Sequence, residues 1–300
     1  MTVGPTTSAK RAGSAKVGVV VPTKNSERTL RACLLSLREQ QLRPIIVVVD
    51  NYSTDATVHI AQELADLCVA AGPERSAQRN RGAALLGSVD VLGFVDSDMV
   101  LEPEVVAQVV TQLAAGNGAV VVPEHTVGSG FVARVRAFER AQYVGASQVE
   151  AARFFSRPVF DAVGGFDEAL PAGEDWDLSL RVAATGATVS HVEACIRHDE
   201  ARVGYLAHCT KKGRYATGLR LFMVKHGDLG RTVVMDRPYL HRPWTLLRHP
   251  VLGCGLVLLK GGEAVAVLAA LAFGATSRAS RDGDVRYRPD RRVNDSTKAP

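Results

Sequence analysis

VGVVVPTKN at residues 17–25 sets the reading of the fold. A run of β-branched residues, apolar at successive positions, is the pattern of a parallel strand buried on both faces, and TKN turns it into a polar loop. The pattern recurs downstream. Pro44 leads into IIVVVD at 45–50, a short strand is expected near 67–70, and VLGFVD at 91–96 and AVVVP at 119–123 complete the series. Helical stripes lie between these runs. Leu30, Cys33, Leu34 and Leu37 repeat at helical spacing after Ser26, the expected cap. Val58, Ala61, Leu64 and Ala65 do so after a Thr54 cap, and a further helix starts near Ser76. Pro103 opens a helix carrying Val106, Val109, Val110 and Leu113. Strands alternating with helices at this spacing predict βαβ units, hence an α/β chain with a mostly parallel, Rossmann-like sheet flanked by helices.

Ligands on such sheets bind beyond the carboxyl ends of the strands. Thr23 and Asn25 follow the first strand there, Asp50 ends the second, and Asp96 and Asp98 close the 91–96 segment. In Asp96-Ser97-Asp98, two carboxylates two residues apart can reach one hard cation that also holds substrate phosphates. Asp50 can accept from a base N–H or a ribose hydroxyl, and Asp55 favours the N-terminus of the following helix. In GEDWDL at 173–178, a carboxylate folded back to the sheet mouth could take a proton from an acceptor hydroxyl.

The chain has 300 residues, 46% of them hydrophobic, enough for one large domain with an appendage. The net charge of +5 sits at the ends: residues 1–16 contribute +3 and residues 277–300 another +3, leaving a nearly neutral body. That distribution argues against a nucleic-acid groove. Five scattered cysteines without a CxxC pair point to a reducing compartment and away from a zinc site. With no signal-peptide pattern before Val17, the expected location is the cytoplasm, extending to the cytoplasmic face of the membrane. The expected organisation is a disordered leader (1–16), a catalytic domain (17–225), a C-terminal helical segment (226–276) and a basic disordered tail (277–300). Residues 250–276 are apolar but interrupted by Lys260 and Glu263, with arginines on both flanks. They predict a helical hairpin that either packs on the domain or dips into the inner leaflet, rather than a full span.

PTKN (22–25), VVVDNYSTDAT (47–57), QRNRG (78–82), FVDSD (94–98), GGFDE (164–168) and GEDWDLSLR (173–181) occur in this order. Together they resemble glycosyltransferase family 2 over roughly residues 17–225. The resemblance implies a GT-A fold and an inverting transferase that uses a nucleotide diphosphate sugar, with uracil the usual base. It places Pro22, Thr23 and Asn25 in the nucleotide pocket, Asp50 on the base, Arg79 by the nucleotide and Asp96 near the ribose. Asp98 would ligate Mg²⁺ or Mn²⁺, with His198 a further metal or diphosphate ligand; His191 and His208 are weaker candidates. Asp175 would be the general base and Glu174 would bind the acceptor beside it. Asp167 and Trp176 fall on the acceptor side, Trp176 either as core anchor or as sugar platform, and GGFDE reads as a turn. Asn51 stands where many relatives carry a second acid, which leaves the sugar nucleotide open. Residues 124–160, with Glu124, Glu139, Arg140, Tyr143 and Arg153, are expected to shape the site of the acceptor, a lipid-linked or small-molecule glycoside. A nucleotidyltransferase would want a glycine-rich loop after the first strand, which TKNSERT is not. A non-catalytic nucleotide-sugar binder would need no base.

Overall fold

The computed structural model describes residues 15–143 and 150–279. Most of the expected leader, and the tail from residue 280, lie outside the described residues. The first half of the chain alternates strongly. It runs through β1 (Val17–Thr23), α1 (Leu30–Arg38), β2 (Ile45–Asp50), α2 (Thr57–Leu64), β3 (Leu67–Ala70), α3 (Arg75–Leu85) and β4 (Val91–Phe94). Shorter pieces follow: β5 (Met99–Leu101), α4 (Val105–Ala114), β6 (Ala119–Val121), β7 (Glu124–Val127), α5 (Phe131–Ala141), β8 (Phe154–Ser156), α6 (Arg157–Ala162), α7 (Glu174–Ala184), β9 (Val189–His191) and β10 (Ile196–Asp199). The chain ends in α8 (Tyr205–Met235), α9 (Pro238–His241), α10 (Pro243–Arg248) and α11 (Pro250–Ala279).

Seven strands form the main sheet in the order β3-β2-β1-β4-β8-β6-β9. β8 runs antiparallel to both its neighbours and every other pairing is parallel. The apolar runs have the cause inferred for them. Val19 and Val21 face a core shared with α1, α2 and α4, whereas Val20 packs with Leu92, Phe94 and Phe155 on the other face. On that second face Phe94 meets Phe166 edge-on at 4.8 Å and Phe160 at 5.2 Å between ring centroids. A smaller sheet, β5-β10-β7, stands beside the first, with β10 antiparallel to β5 and parallel to β7.

Two expected caps are replaced by tertiary bonds. The Ser26 hydroxyl is engaged by Ser97 at 2.8 Å and by the Lys24 carbonyl, so α1 starts only at Leu30. The Thr54 hydroxyl turns to Asn25, and Asp55 instead accepts from the Thr57 amide at the start of α2.

The expected hairpin within 250–276 is not formed: the segment is one continuous helix. Lys260 and Glu263 do not break it because their charges are met from other elements. Lys260 Nζ lies 2.7 Å from Glu139 and His208 Nε2 lies 2.7 Å from Glu263. The partner of α11 is α8. Tyr205 donates to the Leu258 carbonyl, Cys209 lies against Gly262 and Gly213 against Ala266, so the two helices advance together and run parallel. Within α8, Gly227 is non-helical (φ 57°, ψ −131°) and bends the helix.

Candidate active site

The parallel pairing of β1 with β2 sets Thr23 beside Asp50, and the Thr23 hydroxyl donates to the Asp50 carboxylate at 3.0 Å. Asp50 also accepts from the amide of Ser53 at 2.8 Å and from its hydroxyl. Asn25, at φ 49°, receives the Thr54 amide on its side-chain oxygen and donates its own amide to Ser53. Thr23, Asn25 and Asp50 therefore form one polar lip at the ends of two strands, with Pro22 buried in β1 beneath it.

QRNRG on α3 locks three parts of the site together, one residue at a time. Gln78 donates to the Thr23 and Val49 carbonyls, joining the ends of β1 and β2. Asn80 both accepts from and donates to the backbone of Phe166, at 2.9 Å each way, and so holds the GGFDE turn. Gly82 allows the helix onto Val20, where a Cβ would come within 2.3 Å of a Val20 methyl. Arg79 is fully buried and bridges three carboxylates. Its guanidinium lies 2.7 Å from Asp96, 2.9 Å from Asp175 and 3.3 Å from Glu174, and stacks over Phe166. The resemblance placed Arg79 at the nucleotide; here the guanidinium lies under the carboxylates that end β4 and begin α7.

This clamp sets the charges. Burial opposes ionisation of Asp96, but Arg79, Arg153 and Arg75 outweigh it and hold its carboxyl well below the usual range. Glu174 goes the other way: burial, then the neighbouring Asp175, push it up. The two acids open α7, whose N-terminus favours negative charge. Gly173 before them has φ 82°, and a side chain there would press on Phe222 of α8.

Asp98 and His198 lie a hundred residues apart in sequence and meet through the small sheet. His198 pairs with Met99 in the β10–β5 register, and its Nε2 comes within 3.3 Å of Asp98. Glu124 accepts on the other side of the ring, 3.3 Å from Nδ1. Burial opposes protonation of His198, but Asp98 and Glu124 raise its pKa to about 9. Glu124 is itself held by Arg140 and by Arg153 at 2.6 Å. Among the described residues no third His, Cys, Asp or Glu completes a metal cage. An imidazole and a carboxylate with open positions suit a divalent ion that keeps water and takes its remaining ligands from a diphosphate.

A cavity of about 870 Å³ opens next to this centre. Asp96, Glu174, Asp175 and Trp176 line it, as do Glu124, Glu139, Arg140, Tyr143 and Arg153 from the stretch expected to shape the acceptor site. Trp176 packs on Phe222 and lines the cavity, and Arg237 stacks over its ring 5.6 Å away. Asp167 is drawn to Lys225 at 2.6 Å and lies outside the lining. The other two histidines are also engaged elsewhere, His191 near Glu150 and His208 against α11. The far wall escaped the sequence reading. It consists of one face of α8 (Lys212, Tyr215, Ala216, Leu219, Met223) and one face of α11 (Lys260, Glu263, Ala264, Val267, Leu271). Both sets repeat at three and four residues, a signal that the unbroken apolarity of α11 obscures.

A mostly parallel sheet with paired aspartates beyond one strand and an acidic helix start facing them defines the GT-A architecture. The family model for glycosyl transferase family 2 matches residues 18–166. The chain belongs to glycosyltransferase family 2. The pre-mycofactocin glycosyltransferase of Mycobacterium tuberculosis is 28% identical over 294 residues, covering 90% of this chain and 59% of that protein. The succinoglycan biosynthesis protein ExoA of Rhizobium meliloti is 30% identical over 192 residues, covering 56% and 58%. The chain thus spans about three fifths of the length of these curated relatives. Among solved structures, the mannosyltransferase PcManGT of Pyrobaculum calidifontis, in complex with GDP-Man and Mn²⁺, superposes with a TM-score of 0.57 at 21% identity, covering 88% of this chain and 81% of that one. Glucosyl-3-phosphoglycerate synthase of Mycobacterium tuberculosis, with Mn²⁺, UDP-Glc and phosphoglyceric acid, gives 0.50 at 19% identity over 73% and 85%.

Proposed function

We propose that the protein transfers a sugar, with inversion, from a nucleoside diphosphate sugar to an acceptor hydroxyl. The observation that carries this reading is the Arg79 clamp. It fixes an acid on the donor side (Asp96) and an acid facing the cavity (Asp175) to one guanidinium, so that donor and acceptor chemistry share a rigid frame. The nucleoside would lie along the lip of Thr23, Asn25 and Asp50 above Pro22, with Asp50 accepting from the base, read as uracil, and Asp96 toward the ribose. Asp98 and His198 would hold Mg²⁺ or Mn²⁺, which when bound offsets charge on the departing diphosphate. Asp175 takes the proton from the acceptor hydroxyl. The oxygen bonds to the anomeric carbon from the face opposite the diphosphate, the carbon–oxygen bond to the diphosphate breaks, and its electrons leave with the nucleoside diphosphate. Glu174, held by Arg79 and Arg75 next to Asp175, would bind the acceptor beside the base. The complexes of the structural relatives with GDP-Man and with UDP-Glc, both with Mn²⁺, support this class of donor and ion.

The C-terminal helices suit contact with the cytoplasmic leaflet. By length and composition alone α11 could cross a bilayer. Its inward charges are committed to α5 and α8, however, while Trp244, Leu247, Val251 and Leu258 are exposed together with Arg242 and Arg248. That combination fits a surface lying on an anionic membrane.

Thermal midpoints against UDP-, GDP- and dTDP-sugars, each with and without Mn²⁺, test the donor reading. A metal-dependent rise with one nucleotide is expected; no rise with any donor would overturn it.

A further inference from the structure

The charged groups that line the cavity are mostly paired with one another: Arg75 with Glu174, Arg140 and Arg153 with Glu124, and Lys260 with Glu139 and Glu263. Arg220 and Arg237 also line the cavity without a carboxylate at ion-pair distance among the described residues, but Arg220 is exposed and Arg237 stacks over Tyr143 and Trp176; the remaining exception is Lys212, on the inner face of α8. Among the described residues no carboxylate lies within ion-pair distance of its ammonium and no hydrogen bond engages it, although it lines the same cavity. Burial pulls its pKa down to about 8; Glu263 and Glu139 oppose that shift, and Lys260 and Arg136 add to it. A half-buried cation without a counter-ion among the described residues, in a cavity large enough for a ligand, wants an anion.

Apolar side chains line the cavity as well: Ala216, Leu219 and Met223 from α8, Ala264, Val267 and Leu271 from α11. The lining also includes Met235, Leu240 and Leu268, which are more than 60% exposed. The apolar side chains of α8 and α11 thus share the cavity with an exposed apolar rim. That rim is continuous in sequence with the exposed Trp244, Leu247 and Val251 of the face described above.

We infer that the acceptor is an acidic amphiphile drawn from a membrane. Its anionic group pairs with Lys212, its hydroxyl reaches Asp175, and its hydrocarbon lies between α8 and α11 and leaves past Met235, Leu240 and Leu268. This rests on the glycosyltransferase reading and adds the class of acceptor.

Calorimetric titration of the full chain with octyl, decyl and dodecyl phosphate below their micellar concentrations tests it, with dodecyl maltoside and inorganic phosphate as neutral and headgroup-only probes. Affinity for the alkyl phosphates is expected to rise about fourfold per added methylene. Inorganic phosphate and the maltoside should bind at least about tenfold more weakly, and Lys212→Met should weaken dodecyl phosphate by about tenfold without affecting the maltoside. Lys212→Arg, which keeps the charge, should bind like the wild type and guards against a folding defect in the first variant. Equal affinity for inorganic and dodecyl phosphate would mean a soluble anion and overturn the proposal, as would indifference to Lys212 or no binding of any amphiphile. The donor titration with Mn²⁺ on the same preparation separates the two levels. A donor shift without amphiphile binding removes the acceptor inference alone, whereas absence of the donor shift removes the reading beneath it.

Discussion

Replacing Arg79 with methionine removes the one cation that three carboxylates share, while keeping a side chain of similar length. Asp96 and Glu174 have side chains 19% and 6% exposed and lose their nearest partner; Asp175, at 31%, regains part of its solvation from water and counts for less. Asp96 keeps Arg153 at 3.5 Å and Glu174 keeps Arg75 at 3.4 Å, so the cost should not exceed the about 3–5 kcal/mol of an uncompensated buried charge. At roughly 2–4 °C per kcal/mol for a domain approaching this size, the midpoint should fall by at most about 20 °C. The pH dependence identifies the cause. In the variant Glu174, which burial and Asp175 already push up, rises further, and Asp96 is less depressed because only Arg153 and Arg75 remain. The penalty is therefore absent below the unfolded values, near about 4, and grows as pH rises through the folded ones. In the wild type Asp96 is depressed by the arginines, so its contribution is present above the unfolded pKa and is lost as pH falls. Both effects make the gap between the proteins widest near neutrality and narrower toward pH 4–5. Differential scanning calorimetry from pH 4.5 to 8 on wild type, Arg79→Met and Arg79→Lys reads this directly. Lysine, reaching one carboxylate but not bridging three, should fall between the other two. A gap under about 1 kcal/mol, or one independent of pH, would refute the claim that Arg79 serves the carboxylates.

Asp175→Asn should retain the donor-induced thermal shift and lose transfer by about two to four orders of magnitude, measured as nucleoside diphosphate release with acceptor present; unchanged turnover would place the base elsewhere. Asp98→Ala should erase the difference between donor shifts with and without Mn²⁺ while leaving the metal-free shift; persistence of the difference would move the ion away from Asp98. Gly218→Ala should destabilise by about 1–3 kcal/mol, because its Cβ would sit 2.6 Å from the Ala172 amide, and should slow transfer by displacing the segment that carries Glu174 and Asp175; urea denaturation and turnover on one preparation check both. Trp244→Ser with Leu247→Ser should reduce co-sedimentation with anionic vesicles and leave donor binding intact, whereas equal sedimentation would exclude that face.

The sequence carried the fold where physical causes are local. Val19, Val20 and Val21 are apolar at every position because each face of β1 has helices on it, and that alone predicts a parallel sheet. Asp50, Asp96 and Asp98 were legible for a related reason: they end strands, and strand ends are where such sheets bind ligands. What lay hidden depends on contacts between distant segments. The family resemblance named His198, but its reach to Asp98 comes from the pairing of β10 with β5, a register that nothing around residue 198 announces. Lys260 and Glu263 looked like helix-breaking charges because their partners, Glu139 and His208, come from α5 and α8. Arg79 is the sharpest case. A charged residue in an exposed-looking QRNRG helix reads as a ligand contact, yet its guanidinium sits under three acids drawn from β4 and α7. A charge that seems wasted on a local reading, on the inner face of a helix or in the middle of an apolar one, therefore signals a partner not yet found. By the same logic Lys212, which among the described residues has no such partner, is where the missing one should be a substrate.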